Sequence, residues 1–565
     1  MPDTAKDPKE GMSRLANRRG SMKGSCARLE VTGAVAASLV LISLSTFAAD
    51  WPQWRGPTRD GVTAQSPALL AEFPKEGLKK VWDSDPIPGG DGGGWSHPCV
   101  AGDRVFVFAN TRFDKPIAPR VLSKDGLTQL GWAAGIPAEL AKAMEDARIG
   151  AARTNLTDGG QINKWADEWV KTNIKPEWAK FQGVVKTRLA LGARAIPLDS
   201  LAKLEPMAGT NFAGQVEFDA WLKEQGLDEA ASKQVMTKVA TTVRASGDTV
   251  YCIGRADGKT LWKKELLGNW MWYPAASTPA VADGRCYILG STAIAYCLDA
   301  KDGNVLWETK PLGAAQHSHN RSSSVLLLDG KAVFCTDTGL AALDAKTGET
   351  VWRNDKVQGK EASAAPWRAG DKNTILFTAG NRLVCIDPAD GKLLWSATTG
   401  ATASTPVVAG DVAVICTGAK ESGITAFRIS AEGAKPLWTV PFVDWSSSAV
   451  VFGKHFYVIG GGNGTGGFGE QGKGRALCIE IESGKVAWEV MIGDGPQLSS
   501  PALADGKLIA EVGPWLYVIK AAPEKYELIG KANLGLASWT SPAVADGLVF
   551  ARTGKGVSCY DLRQN

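Results

Sequence analysis

The chain has 565 residues, a formal net charge of +4, 44% hydrophobic and 22% charged residues, an ordinary balance for a globular protein with a sizeable core. Acidic and basic residues are mixed along the sequence, which excludes the clustered basic face of a nucleic-acid-binding protein. The 21 Trp against 8 Tyr, together with 64 Gly, indicate a repeated structural position and many tight turns.

The N-terminus has the pattern of an export signal. Basic residues precede an apolar run over residues 31–47, and the small residues Ala48 and Ala49 follow it. The run is short for a membrane span, and small residues at its end are typical of a cleavage site. The sequence therefore predicts a signal peptide over residues 1–49, a location in the periplasm or cell envelope, and no stable transmembrane segment after cleavage. Retention of the signal as an anchor and an internal start codon stay open.

A tryptophan recurs through most of the chain. From Trp262 onwards successive copies lie 45, 45, 43, 43 and 50 residues apart, a period typical of propeller blades. In most units a glycine stands four residues before the tryptophan, where a tight hairpin needs positive φ. The predicted structural repeat positions are Trp82, Trp262, Trp307, Trp352, Trp395, Trp438 and Trp488.

A second turn, mostly Asp-Gly or Gly-Asp, recurs in eight copies. It lies between a small-residue segment such as 277–281 and an alternating strand such as 104–108. Each unit therefore contains four short antiparallel strands, with small residues innermost and tryptophan outermost. The sequence predicts an all-β, eight-bladed β-propeller. Its last unit ends after three strands, and we expect the strand around Trp82 to complete it as a velcro closure.

The predicted domain boundaries follow from the repeats. Residues 50–75 are an N-terminal extension, residues 76–110 contain the closing strand and the start of blade one, and residues 247–565 contain the rest of the propeller. Residues 111–246 predict a mainly helical insertion in blade one, either a functional elaboration or a cap that packs on the ring. Its helical runs are expected near 137–150, 160–190 and 215–243.

The Asp-x-x-x-Gly-x-x-x-Trp turn with Ser/Thr-Pro inner strands resembles the PQQ-like (pyrroloquinoline quinone) repeat family, over roughly residues 76–110 and 247–563. The stretch from Trp51 to Val62 resembles exported PQQ-repeat proteins of planctomycete type. Two groups of relatives represent the alternative functions that this resemblance implies. Quinoprotein alcohol dehydrogenases are periplasmic enzymes with PQQ and Ca²⁺, whereas the scaffold lipoprotein of the outer-membrane barrel-assembly machinery keeps the propeller without a cofactor.

The cysteine pattern does not follow that of the dehydrogenases. They carry adjacent cysteines over the quinone, and this sequence has no Cys-Cys pair; their Ca²⁺ ligands and catalytic Asp do not map onto this chain. No cofactor is therefore predicted, although PQQ and Ca²⁺ stay open. We interpret the cysteines at one repeated third-strand position as small buried residues, with one or two disulfides left open. These are Cys252, Cys297, Cys385, Cys478 and Cys559.

Candidate site residues gather before the inner strands, at the expected mouth of a central channel. Aromatic residues there suit a sugar, a quinone or a peptide side chain, or they pack between blade tops. His97, His317 and His319 suit a metal, acid–base chemistry or a polar channel lining, and no regular ligand spacing supports a metal. The channel-mouth candidates are Trp95, His97, Trp270, Trp272, His317, His319, Arg321, Asp444, Trp445 and Trp539.

These observations predict an exported, monomeric binding or scaffold module for an envelope protein, peptide or glycan partner, with no nucleic acid. The alternative is a quinoprotein-like dehydrogenase that oxidises an alcohol or sugar with PQQ and Ca²⁺. No catalytic residue is assigned, and any enzyme activity would be that of a PQQ-dependent oxidoreductase.

Overall fold

A computed structural model describes residues 50–314, 321–359, 361–418, 421–461, 474–493, 499–537 and 539–564, without the side chains of residues 118–120 and 241. The predicted signal peptide, residues 1–49, lies outside these ranges. Within them, every helix is too short or too polar to cross a bilayer.

Most of the regular secondary structure in the described residues is β, and its strands pair into eight four-stranded antiparallel sheets, the unit from which β-propellers are built. In sheets 1 to 7, four consecutive strands lie side by side; in sheet 8, β1 is added to the last three strands of the chain. The strands are β1 (Lys79–Asp83); in sheet 1 β2 (Cys99–Ala101), β3 (Arg104–Leu122), β4 (Val239–Gly254) and β5 (Thr260–Leu266); in sheet 2 β6 (Ala280–Ala282), β7 (Arg285–Leu289), β8 (Ala295–Asp299) and β9 (Val305–Glu308); in sheet 3 β10 (Leu326–Leu328), β11 (Lys331–Thr336), β12 (Gly339–Asp344) and β13 (Thr350–Asn354); and in sheet 4 β14 (Ala365–Ala369), β15 (Lys372–Ala379), β16 (Arg382–Ile386) and β17 (Leu393–Thr398). The remaining strands are, in sheet 5, β18 (Val407–Ala409), β19 (Val412–Cys416), β20 (Ile424–Ile429) and β21 (Ala434–Val440); in sheet 6 β22 (Val450–Phe452), β23 (His455–Gly460), β24 (Arg475–Glu480) and β25 (Val486–Met491); in sheet 7 β26 (Ala502–Ala504), β27 (Lys507–Val512), β28 (Trp515–Lys520) and β29 (Leu528–Asn533); and in sheet 8 β30 (Ala543–Ala545), β31 (Leu548–Arg552) and β32 (Val557–Asp561).

The helices of the described chain lie between β3 and β4. These two strands continue past residues 110 and 247 and pair as far as Leu122 and Val239, so the helical part starts later and ends earlier than the sequence indicates. A 3₁₀ turn over Pro176–Phe181 interrupts the predicted run 160–190, because proline has no N–H for the helix. The α-helices are α1 (Lys124–Gln129), α2 (Ala138–Ile149), α3 (Ala151–Thr154), α4 (Gly159–Asn173), α5 (Gln182–Leu191), α6 (Leu198–Leu204), α7 (Gln215–Glu224) and α8 (Glu229–Thr237).

Neighbouring sheets are packed face to face through shared apolar clusters. Sheets 1 and 2 share one such cluster, and the same holds for each following pair up to sheets 6 and 7. A further cluster joins sheets 7, 8 and 1. In sheet 8, β1 pairs with β32 from Lys79↔Asp561 to Asp83↔Ser558. The first strand of the described chain therefore completes its last sheet.

Each repeat tryptophan connects its own sheet to the next one. The indole Nε1 of Trp352, for example, donates to the carbonyl of Pro388 at 2.9 Å, in the outer hairpin of sheet 4. The face of the same indole lies on Gly391, where an added Cβ would come within 2.3 Å of the ring. Glycine is therefore required there by the close approach of the indole as well as by the φ of +75°. The other donor–acceptor pairs are Trp82–Arg255, Trp262–Ala300, Trp307–Ala345, Trp395–Ser430, Trp438–Ile481 and Trp488–Ala522.

Sheet 7 departs from this pattern. On β29, Gly530 pairs with Val518 next to the register shift. The other sheets have their repeat tryptophan at this position. An added Cβ on Gly530 would lie 2.2 Å from Cγ of Phe73, which belongs to the N-terminal extension. Sheet 8 has no hairpin between β32 and β1, because these strands come from opposite ends of the chain. No turn carbonyl is therefore present to receive an indole, and Phe73 occupies the position instead.

The cysteines of the described residues, all nine of them, are free and buried. The five at the repeated third-strand position lie directly across from a repeat tryptophan on the neighbouring strand. Burial raises the pKa of the Cys252 thiol to about 11, so this side chain is a neutral packing group at physiological pH.

Two glycine variants separate the packing requirement from the backbone requirement. Gly391→Ala adds a methyl group against Trp352, whereas Gly370→Ala, at a φ of +62°, meets nothing within 4 Å. Both substitutions cost about 1–2 kcal/mol for an L-residue at positive φ, and overpacking adds about 1–3 kcal/mol only at position 391. We expect the urea midpoint to fall further for Gly391→Ala; equal losses would contradict the role assigned to the indole contact.

Candidate binding site

A ladder of hydrogen bonds connects the residues that precede the innermost strands of neighbouring sheets; we call it the inner ladder. In each step a backbone N–H of one sheet donates to a side chain of the next. The steps form a continuous series that starts at sheet 5, passes through sheets 6, 7, 8, 1, 2 and 3, and ends at sheet 4. Sheets 4 and 5 are joined by a different bond, in which Thr378 Oγ1 donates to the Ser404 carbonyl at 2.7 Å. The pairs are Thr405–Ser448, Ser448–Ser500, Ser500–Ser541, Ser541–His97, His97–Thr278, Thr278–Ser324 and Ser324–Ser363.

His97 takes the acceptor position that Ser or Thr has in the other sheets. Its Nδ1 accepts the N–H of Ser541 at 2.6 Å, so the hydrogen bond assigns the proton of the neutral ring to Nε2. The ring lies on Trp54, with centroids 4.3 Å apart. Burial, with smaller contributions from Arg552 and Arg55, lowers the pKa of His97 to about 3. The imidazole is thus neutral at physiological pH.

The metal hypothesis stays a prediction, because only one of its three histidines lies in the described part of the chain. His317 and His319 lie outside the described residues. Among the residues that are described, no three His, Cys, Asp or Glu side chains are placed to hold a metal ion. Nδ1 of His97 is already occupied by the inner ladder.

Residues 51–63, which we call the axial segment, lie against the inner strands. Two of its arginines adopt positive φ, +61° at Arg55 and +62° at Arg59, a conformation that costs about 1–2 kcal/mol. Their guanidinium groups are buried and donate to main-chain carbonyls, Arg55 to Ser448 at 3.2 Å and Arg59 to Val325 at 2.6 Å. Further contacts with inner strands join Trp51 to Val100, Pro52 to Val281, Trp54 to Thr405 and Thr63 to Leu503.

The axial segment therefore touches sheets 1, 2, 3, 5, 6 and 7, and it fills space where the sequence indicates a channel. The cavity left beside Trp54 and His97 measures only about 10 Å³, room for one water molecule. The sequence analysis quoted this segment for its resemblance and missed the two arginines. The sequence does contain a signal for these two residues, namely a pair of arginines four residues apart in a stretch with Gly and Pro.

The aromatic candidates fall into separate groups. Trp95 contacts Trp539 with ring centroids 5.1 Å apart and Tyr273 at 6.3 Å. Trp270 and Trp272 form an edge-to-face pair at 5.5 Å. These two groups are joined through the chain, since Tyr273 directly follows Trp272.

Asp444 and Trp445 lie apart from the other candidates, before β22 of sheet 6. Asp444 is fully buried, and its oxygens accept the backbone N–H groups of Ser446, Ser447 and Gly461, each at 2.9 Å. Burial raises the pKa of Asp444. This geometry stabilises the loop, and the assignment of Asp444 and Trp445 to a ligand stays a prediction.

An open cleft lies where the β3–β4 hairpin meets the loop 267–275; we call it the arginine–tryptophan cleft. It has a volume of about 390 Å³. The Trp270 ring is close to two guanidinium groups, with Cζ of Arg112 5.6 Å and Cζ of Arg244 5.1 Å from its centroid. The lining residues are Arg112, Phe113, Asp114, Arg244, Trp270 and Trp272.

The floor of the cleft is ordered and its upper rings are open to solvent. Arg112 donates to the Met271 carbonyl at 2.6 Å and also to the Trp272 carbonyl, so its guanidinium holds the loop in place. Trp272 is 63% exposed and Phe113 is 49% exposed, which is unusual for such large apolar side chains. Trp270 and Trp272 were predicted as site residues, whereas Arg112, Phe113 and Arg244 were missed because they fall in the segment assigned to the insertion.

Two buried carboxyl groups lie near buried arginines. Asp248 accepts from Asn110 Nδ2 at 2.7 Å and from the N–H of Ser291 at 2.6 Å, and burial raises its pKa to about 7 although the charge of Arg321 opposes this. Arg321 donates to Asp337 at 3.1 Å.

The second carboxyl group, Glu511, accepts the hydroxyl of Thr540 on one oxygen, and burial raises its pKa to about 8. The nearby Arg552 donates to the Pro88 carbonyl at 2.7 Å. Within the described residues, Nε and Nη1 of Arg321 and Nε of Arg552 have no hydrogen-bond acceptor. These N–H groups suit the carboxylates of PQQ, but no three His, Cys, Asp or Glu side chains of the described residues come together where they could hold Ca²⁺. The fit to that cofactor pair is therefore incomplete.

Part of the chain is similar to the PQQ-like repeat family. Residues 246–459 match the family model described as outer membrane protein assembly factor BamB. No curated protein sequence matches the chain.

The chain has partial similarity to several solved structures. BamB from Moraxella catarrhalis is 17% identical, with 56% of this chain and 89% of that chain covered and a TM-score of 0.42. The quinohemoprotein alcohol dehydrogenase from Comamonas testosteroni is 14% identical, with 56% and 72% covered and a TM-score of 0.41. A europium-containing methanol dehydrogenase is 12% identical, with 55% and 80% covered and a TM-score of 0.38.

The role of His97 in the inner ladder predicts an acid-sensitive stability. Because its pKa is about 3 in the folded chain and about 6.5 when unfolded, stability is fully present above pH 6.5 and is lost as the pH falls towards 3. Between pH 7 and pH 4 this loss amounts to about 3 kcal/mol. His97→Asn keeps an acceptor near Nδ1 but does not titrate, so its Tm should fall less over this range.

The readout is the slope of Tm against pH, because the smaller Asn side chain lowers stability equally at every pH. His455→Asn, on β23 and outside the inner ladder, serves as the control and should keep the slope of the unsubstituted protein. An unchanged slope in His97→Asn would contradict the neutral, accepting imidazole.

Proposed function

We propose that the protein is an exported, monomeric binding module whose ligand site is the arginine–tryptophan cleft. In this proposal the eight sheets are the blades of one closed β-propeller, the signal over residues 1–49 directs the chain to the periplasm or envelope, and the propeller is a rigid scaffold without a catalytic centre. The observation that carries the proposal is the contrast between a filled axis and an open cleft with exposed aromatic rings.

The filled axis supports the choice of site. Two buried arginines of the axial segment satisfy carbonyls of the inner strands, and the neighbouring cavity of about 10 Å³ is too small for a ligand. The arginine–tryptophan cleft, in contrast, has a volume of about 390 Å³, at the small end of the range for ligand sites. Surfaces of this kind, with large exposed rings and arginine, are typical of binding sites.

The β3–β4 hairpin, which carries the helices, also contributes residues to the arginine–tryptophan cleft. Arg112 and Phe113 on β3 and Arg244 on β4 belong to the stem of that hairpin. The loop that supplies Trp270 and Trp272 connects sheets 1 and 2. The segment 111–246 therefore contributes one wall of the cleft, which favours a functional elaboration over a cap that only packs on the ring.

The alternative function is a quinoprotein-like dehydrogenase. The unpaired N–H groups of Arg321 and Arg552 favour an anionic ligand in the interior, and buried carboxyls with raised pKa, such as Asp248 and Glu511, are common at functional sites. We place it second because the family's Ca²⁺ ligands and catalytic Asp do not map onto this chain, and no three His, Cys, Asp or Glu side chains of the described residues form a cation site.

Site-specific photo-cross-linking in the source cells tests the binding function. A benzophenone amino acid replaces Trp272 or Phe113 in the cleft, and a matched control replaces Phe452, which is 42% exposed on β22 of sheet 6. We expect a discrete higher-mass adduct from the two cleft positions and none from position 452. Adding Arg244→Gln to the Trp272 probe should weaken the adduct.

Identical patterns at all three positions would contradict the choice of the cleft. Reconstitution of the purified protein with PQQ and Ca²⁺ provides the opposing outcome. Quinone absorbance that stays with the protein, together with dye-linked oxidation of an alcohol or sugar, would contradict the binding module and support the dehydrogenase.

A further inference from the structure

We infer that the arginine–tryptophan cleft binds a segment of acidic polysaccharide, with a uronic-acid ring stacked on Trp272 and its carboxylate paired with Arg244. This inference rests on the proposed function and narrows its ligand to one chemical class. It is carried by three properties of the cleft: an available guanidinium, an exposed indole face, and a low overall charge density around them.

The available cation is Arg244. It is exposed, and within the described residues its guanidinium contacts the Trp270 ring but makes no hydrogen bond or ion pair, although Asp114 lies directly opposite on β3. Arg112, by contrast, is committed to the carbonyls of Met271 and Trp272. The two guanidinium groups share the Trp270 ring, and their mutual repulsion favours an incoming anion. A guanidinium binds a carboxylate through two parallel hydrogen bonds.

The exposed aromatic side chains supply a flat apolar surface beside that cation. Trp272 is held edge-on to Trp270 at 5.5 Å, and its backbone carbonyl accepts from Arg112, so its ring is oriented before a ligand arrives. Phe113 presents a second exposed ring on the neighbouring strand. Ordered aromatic side chains bind with little loss of conformational entropy. A pyranose ring offers a flat face of C–H groups for such a surface, with the carboxylate of a uronic acid at the ring edge.

Other anionic partners fit less well. A nucleic acid requires a dense basic surface, whereas the chain has a net charge of +4 over 565 residues and the cleft has two arginines against Asp114. An acidic peptide supplies its carboxylate on a flexible stem, so the carboxylate and any ring that covers Trp272 are not part of one rigid unit. A polymer with a carboxylate on a rigid ring matches both features at once.

Binding of a defined oligosaccharide to the purified full chain tests this inference. The probe is a hexamer of α-1,4-linked galacturonic acid, and its fully methyl-esterified form is the matched uncharged probe. Isothermal titration at low salt should give a Kd for the acid form that is about tenfold lower or more than for the ester. Raising the salt concentration should weaken only the acid form.

Two variants assign the binding to the cleft. Arg244→Gln and Trp272→Ala should each raise the Kd of the acid hexamer about tenfold or more, which corresponds to about 1.4 kcal/mol. Arg368→Gln, exposed on β14, and Phe452→Ala, exposed on β22, are the matched controls. They should leave the Kd within about twofold, the usual effect of a surface change away from a site.

The outcomes that overturn the inference are distinct from those that overturn the proposed function. Equal affinity for the ester would show a sugar site without acid recognition. Tighter binding of hexaglutamate, lost in Trp272→Ala, would show a peptide site. Both results sink the acidic polysaccharide and leave the cleft as a binding site. Absence of hexamer binding, or binding that neither cleft variant weakens, also sinks it, and the photo-cross-linking result then decides the proposed function separately.

Discussion

The inner ladder is the constraint on which the rest of the structure depends. Each step needs a side-chain acceptor at the same position of the next sheet, and a buried N–H without an acceptor costs about 1–3 kcal/mol. Six of the seven acceptors are Ser or Thr, and sheet 1 uses His97. The scarce histidine that looked like a metal candidate thus has a structural partner. The axial segment completes this region, since its arginines satisfy carbonyls of the same inner strands.

At the periphery, the repeat tryptophans and the turn glycines link neighbouring sheets. All seven indoles donate to a turn carbonyl of the next sheet. Five of them, all except Trp395 and Trp488, also lie on a turn glycine. Sheet 8 lacks such a turn because β1 and β32 come from different ends of the chain. As a consequence, β29 has Gly530 where the other sheets have a tryptophan, and Phe73 of the N-terminal extension packs against this glycine.

The four-stranded unit could be predicted because turn glycines, alternating strands and tryptophans recur at one spacing. The cleft was predicted only in part. Trp270 and Trp272 stand in a short loop next to a repeat and were noticed, whereas Arg112 and Arg244 are 132 residues apart in the sequence and meet only because β3 and β4 extend into the segment assigned to helices. Contacts of the axial segment with six sheets likewise arise from long-range packing that leaves no periodic signal in one sequence.

A designed disulfide between β1 and β32 tests the closure of the ring most directly. Lys79 and Asp561 are paired residues on the two strands, and cross-strand pairs have the Cα separation that a disulfide requires. In a Lys79→Cys/Asp561→Cys variant the account predicts an intramolecular disulfide, seen by mass spectrometry as one cross-linked peptide, and a higher Tm under oxidising conditions. A Lys79→Cys/Asp390→Cys control, with the second cysteine in the outer hairpin of sheet 4, should form none. Failure of the first variant to cross-link, or cross-linking only between molecules, would contradict a ring closed by its N-terminal strand.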